Sequence, residues 1–287
     1  MKKLYLIFSL LIIFAGCRES DFKKQNNLDK IIEALHSTDD NIVLVTAHRA
    51  AHNVYPENSV AAIKHTIEIG ADFIEIDTRH TKDGRIILMH DGKVDRTTDG
   101  TGKVENFTFA EIRALKLNTS GGDTVTRHIP TFREAMQAAR GKIMVDIDIK
   151  SAPVGPLVKI IKELGMENQV VFFDSDFAVL DSVKLLDSAL MVMPRARSAE
   201  KLQWMIDRYH PVIIHIDPSF YTKEVVDIIK KGKARVWINA LGKADIQAGL
   251  GMTDSAYGSL VEGGANIIQT DRPAALLEYL VGKKLHW

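Results

Sequence analysis

The chain has 287 residues, of which 37 are lysine or arginine and 37 are aspartate or glutamate, so that its formal net charge is zero. Proteins that bind nucleic acid usually carry a basic surplus, and we therefore expect no nucleic-acid partner. Because Cys17 is the single cysteine, no disulfide can form within the chain, and its stability must come from a hydrophobic core.

The first sixteen residues are predicted to be a signal peptide and not a part of the fold. Two lysines form a basic start, and the apolar run that follows, residues 4–14, is too short for a permanent membrane-spanning helix. Two small residues then precede Cys17, an order that resembles a bacterial lipoprotein signal. We expect lipidation of Cys17 and a membrane-anchored lipoprotein of the bacterial cell envelope, periplasmic or on the surface. The alternative is an ordinary secretory signal.

Residues 17–41 are predicted to be a polar tether, in which one amphipathic stretch, residues 28–35, could form a short helix that packs on the domain. Residues 42–287 remain for the folded domain. A single α/β barrel typically has about 250 residues, and no linker rich in proline, glycine or serine interrupts this span.

Nine short apolar runs in the domain are predicted to be strands, and amphipathic segments of ten or so residues lie between most of them. The runs are 42–45, 73–74, 86–89, 143–145, 170–173, 190–193, 212–214, 235–238 and 267–268, and examples of the helical segments are 59–69, 154–164, 199–209 and 223–231. Alternation of strands and helices predicts a parallel sheet with helical crossovers.

One connection in this pattern is too short for a crossover helix. Residues 78–85 contain the turn signal Lys82-Asp83-Gly84, so the second and third runs should form an antiparallel hairpin. Eight parallel strands then remain, and the predicted fold is a TIM-type (β/α)8 barrel with a β-hairpin after strand 2. The alternative is a doubly wound open sheet, which would more often show a glycine-rich loop after its first strand.

Carboxylates alternate along two of the predicted strands. Glu75 and Asp77 point to the same side of one strand, which is inward in a barrel, and Asp146 and Asp148 repeat the pattern on the next parallel strand. Buried carboxylates repel one another unless a cation lies between them. Oxygen ligands favour Mg, Ca or Mn over Zn, so we expect one divalent cation. The alternative is that salt bridges close the barrel.

Two histidines follow predicted strands near these carboxylates. His48 and His90 should lie at the C-terminal mouth of the barrel, where this fold places catalytic groups, and the hairpin would bring His90 roughly opposite Asp77. Paired imidazoles can supply a general acid and a general base. Six other histidines are expected to be structural or surface residues: His52, His65, His80, His128, His210 and His215.

From Val45 to Pro273 the chain resembles bacterial glycerophosphodiester phosphodiesterases. The motifs that carry the resemblance are His48-Arg49, Pro56-Glu57-Asn58-Ser59, Gly70-Ala71-Asp72, Glu75-Ile76-Asp77, Thr81-Lys82-Asp83-Gly84, His90-Asp91, Arg96-Thr97-Thr98, Ile129-Pro130-Thr131, Asp148-Ile149-Lys150, Val236-Trp237 with Asn239, and Thr270-Asp271 with Pro273. These motifs, in this order, are highly specific for the family.

The resemblance implies a TIM-type barrel with a small insertion after strand 2, at about residues 93–130. It also implies roles for nine residues. His48 and His90 would be the acid/base pair, and Glu75, Asp77 and Asp148 the metal ligands. Arg49 and Lys150 would be phosphate-binding cations, Glu57 would orient the site, and Trp237 would form part of the pocket for the alcohol. Two positions depart from the family pattern. Ala50 replaces the usual glycine, and Asp148 replaces the usual glutamate, so that Asp146 is an alternative ligand.

The function implied is metal-dependent hydrolysis of glycerophosphodiesters to glycerol 3-phosphate and an alcohol. The nucleophile is either water or the glycerol 2-hydroxyl, through a cyclic phosphate. One alternative is a phospholipase or inositol phosphodiesterase on the same barrel, which should have an apolar rim, for which Phe107, Phe109 and Phe220 are the candidates. Another is a lipoprotein that only binds phosphodiesters, but such a protein would not need both histidines.

Overall fold

The computed structural model describes residues 27–37, 41–119 and 125–287. Within these residues the strands are β1 Leu44–Ala47, β2 Phe73–His80, β3 Ile86–Leu88, β4 Met144–Ile149, β5 Val170–Phe173, β6 Met191–Met193, β7 Arg195–Ala196, β8 Ile213–Ile216, β9 Arg235–Asn239 and β10 Ile267–Thr270. The helices are α1 Asn27–His36, α2 Val60–Glu68, α3 Phe109–Ala114, α4 Phe132–Ala139, α5 Val154–Leu164, α6 Phe177–Leu186, α7 Ala199–Tyr209, α8 Lys223–Lys231, α9 Lys243–Gly249, α10 Thr253–Glu262 and α11 Pro273–Gly282.

The parallel strands form a closed ring with eight positions. Their order is β6-β5-β4-β2-β1-β10-β9-β8-β7. Only Pro194 separates β6, which pairs with β5, from β7, which pairs with β8. The carbonyl of Pro194 accepts a hydrogen bond of 3.1 Å from the backbone N–H of His215, so β6 and β7 are one interrupted strand that closes the ring. The predicted (β/α)8 barrel is confirmed, and the open-sheet alternative is wrong.

The predicted hairpin is also confirmed, but its register differs by one residue from the expected one. Strand β3 pairs antiparallel with β2 and lies outside the ring, with Thr78 opposite Leu88. The backbone N–H of Met89 donates to the carbonyl of Asp77 at 3.0 Å. Met89 therefore lies opposite Asp77, and His90 is one residue further along.

Helix α1 closes the end of the barrel where the strands begin. Its buried face consists of Leu28, Ile31, Ala34 and Leu35, which pack against residues at the start of the strands. Three guanidinium contacts from Arg235 on β9, two to the carbonyl of residue 34 and one to that of residue 42, tie the C-terminal end of α1 to the barrel. The stretch predicted to be a tether therefore contributes a helix to the core.

The predicted signal peptide and Cys17 lie outside the described residues. Among the helices that the structure does describe, none combines the length and the apolar character needed to cross a bilayer.

A small subdomain lies between β3 and α4, in the region of the expected insertion. Its own core is formed by Val94, Val104, Ile112, Leu117 and Ile129, which pack against the hairpin residues 87 and 89. Because it packs on the hairpin, this insertion stands beside the C-terminal mouth of the barrel.

Several helix boundaries follow local rules that the sequence makes visible. Thr108 and Thr131 are the N-cap residues of α3 and α4, and both form capping boxes. Gly165 caps the C-terminal end of α5 in the left-handed conformation, with φ of 63°. After α8 the left-handed residue is Lys233 and not Gly232, which keeps φ of −72°.

Candidate active site

Three carboxylates from two neighbouring strands converge at the C-terminal mouth of the barrel. Glu75 and Asp77 lie on β2, and Asp148 lies on β4 directly beside Asp77. One oxygen of each lies within 4.8 Å of the others, so the group can hold a metal ion. The alternative ligand, Asp146, lies beside Glu75 on β4 but is not a member of this group.

Burial and mutual repulsion make this acidic group a suitable cation site. Burial, followed by repulsion from Asp77 and Asp148, raises the pKa of Glu75 well above its usual range, and a backbone hydrogen bond only partly offsets this. Burial also raises the pKa of Asp148, against the opposing charge of Lys150. A divalent cation would relieve both effects, and an all-oxygen donor set suits a hard ion.

Two loop residues fix the orientation of the carboxylates on β2. Asn58 donates to a carboxylate oxygen of Asp77 at 2.7 Å and accepts from the backbone N–H of Asp77 at 3.0 Å. The backbone N–H of Arg49 donates to the carboxylate of Glu75 at 2.7 Å. Sequence reasoning gave Asn58 no role, although it stands in the Pro-Glu-Asn-Ser motif.

The turn that delivers this N–H accounts for the glycine that the resemblance implies at position 50. Arg49 and Ala50 both have positive φ, 50° and 61°, in the left-handed region that favours glycine. The N–H of Ala50 donates to the backbone carbonyl of Glu75 at 3.1 Å. Ala50 therefore keeps the geometry that glycine would adopt, and the predicted departure costs backbone strain but leaves the turn in place.

His48 and His90 line the same cavity as the three carboxylates and Lys150. Each imidazole is held at Nδ1 by an aspartate at 2.7 Å, His48 by Asp271 and His90 by Asp91. With Nδ1 engaged, Nε2 is the nitrogen available for proton transfer. The two aspartates stand in motifs of the sequence, but sequence reasoning gave neither a role.

The electrostatic environment keeps both aspartates ionised. A hydrogen bond from Arg96 is the main cause that holds the pKa of Asp91 far below its usual range, and the contact with His90 adds to it. Burial alone would raise the pKa of Asp271, but the hydrogen bond and charge of His48, with the charges of His52 and Arg49, lower it overall. Both carboxylates therefore accept hydrogen bonds from their histidines as anions.

The two predicted phosphate-binding cations lie beside the carboxylates. Lys150 Nζ is 2.6 Å from Asp148 Oδ2 and 3.3 Å from Asp77 Oδ1. Although burial opposes it, these two charges raise the pKa of Lys150, so the lysine stays protonated. Arg49 Nε is 3.8 Å from Asp77 Oδ2.

Glu57 connects the two sides of the mouth. It accepts from Arg49 at 3.2 Å and, with both oxygens, from Arg96 at 2.7 and 2.8 Å. Burial alone would raise the pKa of Glu57, but the hydrogen bond from Arg96 and the charges of both arginines lower it overall. Because Arg96 also donates to Asp91 at 2.7 Å, the contacts run continuously from Arg49 to His90. Arg96, from the insertion, is a further site residue that had been given no role.

Trp237 lies on the barrel wall with 1% of its surface exposed. Its ring packs edge to face on Phe73 with centroids 6.0 Å apart, and its Nε1 donates to Asn239 at 3.1 Å. It lines the same cavity together with Phe173 and His215. A contact between Trp237 and the alcohol stays a prediction, whereas His215, expected to be structural or on the surface, is a cavity residue.

A family model for the glycerophosphoryl diester phosphodiesterase family matches residues 48–197, and one for a domain of unknown function matches residues 190–280. The glycerophosphodiester phosphodiesterase of Caldanaerobacter subterraneus subsp. tengcongensis is 38% identical over 157 residues, which are 52% of this chain and 65% of that protein. Human glycerophosphodiester phosphodiesterase 1 is 41% identical over 110 residues, 36% of this chain and 33% of that one. The chain thus spans less than two thirds of these relatives.

Solved structures extend the similarity over the whole barrel. A glycerophosphoryl diester phosphodiesterase from Parabacteroides distasonis has a TM-score of 0.79 and 28% identity, and the match covers 90% of this chain and 93% of that one. An Oleispira antarctica phosphodiesterase, solved with the product sn-glycerol-3-phosphate, shares the fold with a TM-score of 0.73 and 22% identity, over 84% and 97%. The family model covers more than half of the chain, which therefore belongs to the glycerophosphoryl diester phosphodiesterase family.

Proposed function

We propose that this protein hydrolyses glycerophosphodiesters to glycerol 3-phosphate and an alcohol. The observation that carries the proposal is that three carboxylates, two histidines held by aspartates and a lysine line one cavity. Membership of the family supports it, as does the glycerol 3-phosphate described as product in the Oleispira antarctica phosphodiesterase.

In this proposal Glu75, Asp77 and Asp148 hold one divalent cation, Mg or Ca, with Mn as a third choice. When bound, the cation stabilises negative charge that develops on the phosphoryl oxygens. Two hydrogen bonds orient the carboxylate ligands independently of the cation. The side-chain amide of Asn58 donates to Asp77, and the backbone N–H of Arg49 donates to Glu75. Arg49 and Lys150 attract the phosphate and add electrostatic stabilisation to the transition state.

His48 and His90 divide the proton transfers in this proposal. In the neutral ring a proton on Nδ1 faces the aspartate, so Nε2 carries the lone pair and can accept a proton. One histidine takes the proton from the attacking water or glycerol 2-hydroxyl as the new P–O bond forms. The other, starting as an imidazolium, gives its Nε2 proton to the leaving alkoxide as the old P–O bond breaks. If the 2-hydroxyl attacks, this step gives a cyclic phosphate, and water then opens the ring in a second step with the roles of the two histidines reversed. The aspartate contacts are alike, so either histidine can take either part.

Phosphorus NMR of a digest of glycerophosphoethanolamine tests the proposal, because the two possible cleavages give different phosphomonoesters. We expect glycerol 3-phosphate to accumulate, and the His48→Ala/His90→Ala double variant to leave the diester intact. Phosphoethanolamine as the product, or no turnover with any added divalent cation, would contradict the proposed reaction.

We also propose that Cys17 is lipidated and anchors the protein in the membrane of the cell envelope. Nine residues separate Cys17 from helix α1, which limits the distance between them to about 30 Å. Helix α1 packs at the end of the barrel opposite the carboxylates. An anchor attached on that side favours orientations in which the mouth faces away from the bilayer, and therefore favours soluble glycerophosphodiesters over intact membrane lipids.

Mass spectrometry should find a lipid on Cys17, and the Cys17→Ser variant should no longer partition into detergent. An unmodified cysteine in the membrane-extracted protein would refute this.

A further inference from the structure

His215 on β8 is a buried imidazole that packs against aromatic rings, and its two polar nitrogens gain nothing from that packing. Its exposed fraction is 4%, and neither ring nitrogen has a hydrogen-bond partner within the described residues. His286, which is also buried, behaves differently, because its Nε2 contacts the carboxylate of Asp72 at 3.0 Å. A buried polar group without a partner costs free energy, so its retention calls for a ligand that supplies a hydrogen-bond partner.

The position of His215 places it where such a ligand would lie. In the eightfold ring, β8 is four positions from β2, so His215 faces the cavity from the wall opposite Glu75 and Asp77. Its ring neighbours are Phe173 and Trp237, with centroid distances of 5.2 and 6.3 Å. A substrate whose phosphate lies near the carboxylates would extend its organic part toward this wall.

The surroundings of His215 keep its ring uncharged. Burial, followed by the positive charges of Arg195 and Arg197, lowers the pKa of His215 to about 3. Asp217, which would favour protonation, is engaged by Arg195, with the guanidinium Nε 3.0 Å from its Oδ1. A neutral imidazole has one donor and one acceptor nitrogen, and a hydroxyl group, which both donates and accepts, can pair with either of them. The torsion about its Cβ–Cγ bond is broad, so rotation about this bond can turn a ring nitrogen toward the cavity.

We propose that His215 binds a hydroxyl group of the substrate and thereby determines specificity. The inference rests on the proposed hydrolysis of glycerophosphodiesters. The hydroxyl can come from the glycerol moiety that stays on the phosphate or from the alcohol that leaves, and the choice of substrates separates these two sources.

The test compares kcat/KM of the wild type with that of the variants His215→Leu and His215→Gln on two substrates. Glycerophosphoglycerol has hydroxyls on both sides of the phosphate, whereas glycerophosphoethanol has none on its leaving alcohol. We expect His215→Leu to lower kcat/KM by about 10- to 100-fold, because a hydrogen bond to the substrate is lost, and His215→Gln to recover most of it. A loss on both substrates assigns the glycerol hydroxyl, and a loss on glycerophosphoglycerol alone assigns the leaving alcohol.

Thermal unfolding without substrate separates this role from a structural one. Replacing an unpartnered buried imidazole by Leu should leave the Tm unchanged or raise it, whereas the matched variant His286→Leu should lower it by breaking the contact with Asp72. His215→Met serves as a second apolar variant. Unchanged kcat/KM on both substrates, or failure of both apolar variants to fold, would overturn the inference. An inactive wild type would instead contradict the proposed function.

Discussion

Asp271 and Asp91 each contact Nδ1 of one of the two histidines proposed as the acid/base pair, His48 and His90. Both accept from Nδ1 at 2.7 Å, and both stay anionic because their pKa values lie below the usual range. Replacement by asparagine should allow the amide to donate to Nδ1 and so place the proton on Nε2. We expect Asp271→Asn and Asp91→Asn each to lower kcat by about 10²- to 10⁴-fold, the range that general acid–base catalysis contributes.

Steady-state kinetics with a glycerophosphodiester and saturating divalent cation would measure this effect. Asp254→Asn is the matched control, because that carboxylate is exposed and contacts only Lys283 among the interactions seen for it in the described residues. Metal affinity should be unchanged in all three variants. If both site variants kept a kcat near that of the wild type, the aspartates would not set the tautomers of the histidines.

The sequence predicts the contacts of this site only where they depend on local spacing. Glu75 and Asp77 are two residues apart on one strand, so their common direction follows from the alternation of side chains. The partner of His48 is 223 residues away. The contact between His48 and Asp271 depends on closure of the ring. Closure pairs Ala47 on β1 with Thr270 on β10, and the next residue of each strand is then His48 and Asp271. Register across strands that are distant in the chain depends on the whole barrel, which no local pattern encodes.

Substitutions in helix α1 test how much this helix contributes to the stability of the barrel at the end where the strands begin. Ile31 is fully buried between the strand ends, whereas Ile32 on the same helix is only partly buried. We expect Ile31→Ala to lower the free energy of unfolding by about 2–5 kcal/mol, as for other large-to-small core substitutions. Ile32→Ala should cost less, and kcat of both variants should match the wild type because the site lies at the other end.

Chemical denaturation of the two variants would measure the difference. Equal and small losses of stability would show that α1 does not contribute to the core of the domain.

Local patterns predict the elements well where a single rule dominates. The predicted bounds of α5, α7 and α8 coincide with those observed, because all three helices have a pronounced amphipathic periodicity. The two-residue strand β7 is missed, since Arg195–Ala196 is too short to form an apolar run and follows a proline. The turn signal predicts that a hairpin forms but does not determine which residues of its two strands lie opposite each other. The observed register, with Thr78 opposite Leu88, therefore differs by one residue from the predicted one.

The acidic interior of the barrel should make the stability of the whole molecule depend on pH and on cations. Burial and repulsion raise the pKa values of Glu75, Asp146 and Asp148 in the folded state. A carboxyl group whose pKa is raised on folding contributes most stability while protonated, and loses that contribution as pH rises from its unfolded pKa through its folded pKa. The metal-free protein should therefore lose stability as pH rises above about 4.5.

Thermal unfolding in chelator across pH 4.5–8, repeated with saturating Mg or Ca, would measure this dependence. The cation should restore the Tm at the upper end of the range, since it neutralises the same carboxylates. Asp146→Asn should raise the Tm of the metal-free protein at neutral pH by removing one of the repelling charges. A Tm of the metal-free wild type that is constant or rises over this range, with no response to cations, would contradict this view of the interior.

The requirement for a divalent cation is the central claim, and turnover after chelation tests it most directly. The wild type, stripped with EDTA and assayed for release of glycerol 3-phosphate, should lose at least about 100-fold in kcat, because charge on the phosphoryl group would be left without its main stabilisation. Excess Mg, Ca or Mn should restore turnover of the wild type but not of Glu75→Ala. Undiminished turnover of the stripped wild type, or of Glu75→Ala in EDTA, would contradict the account.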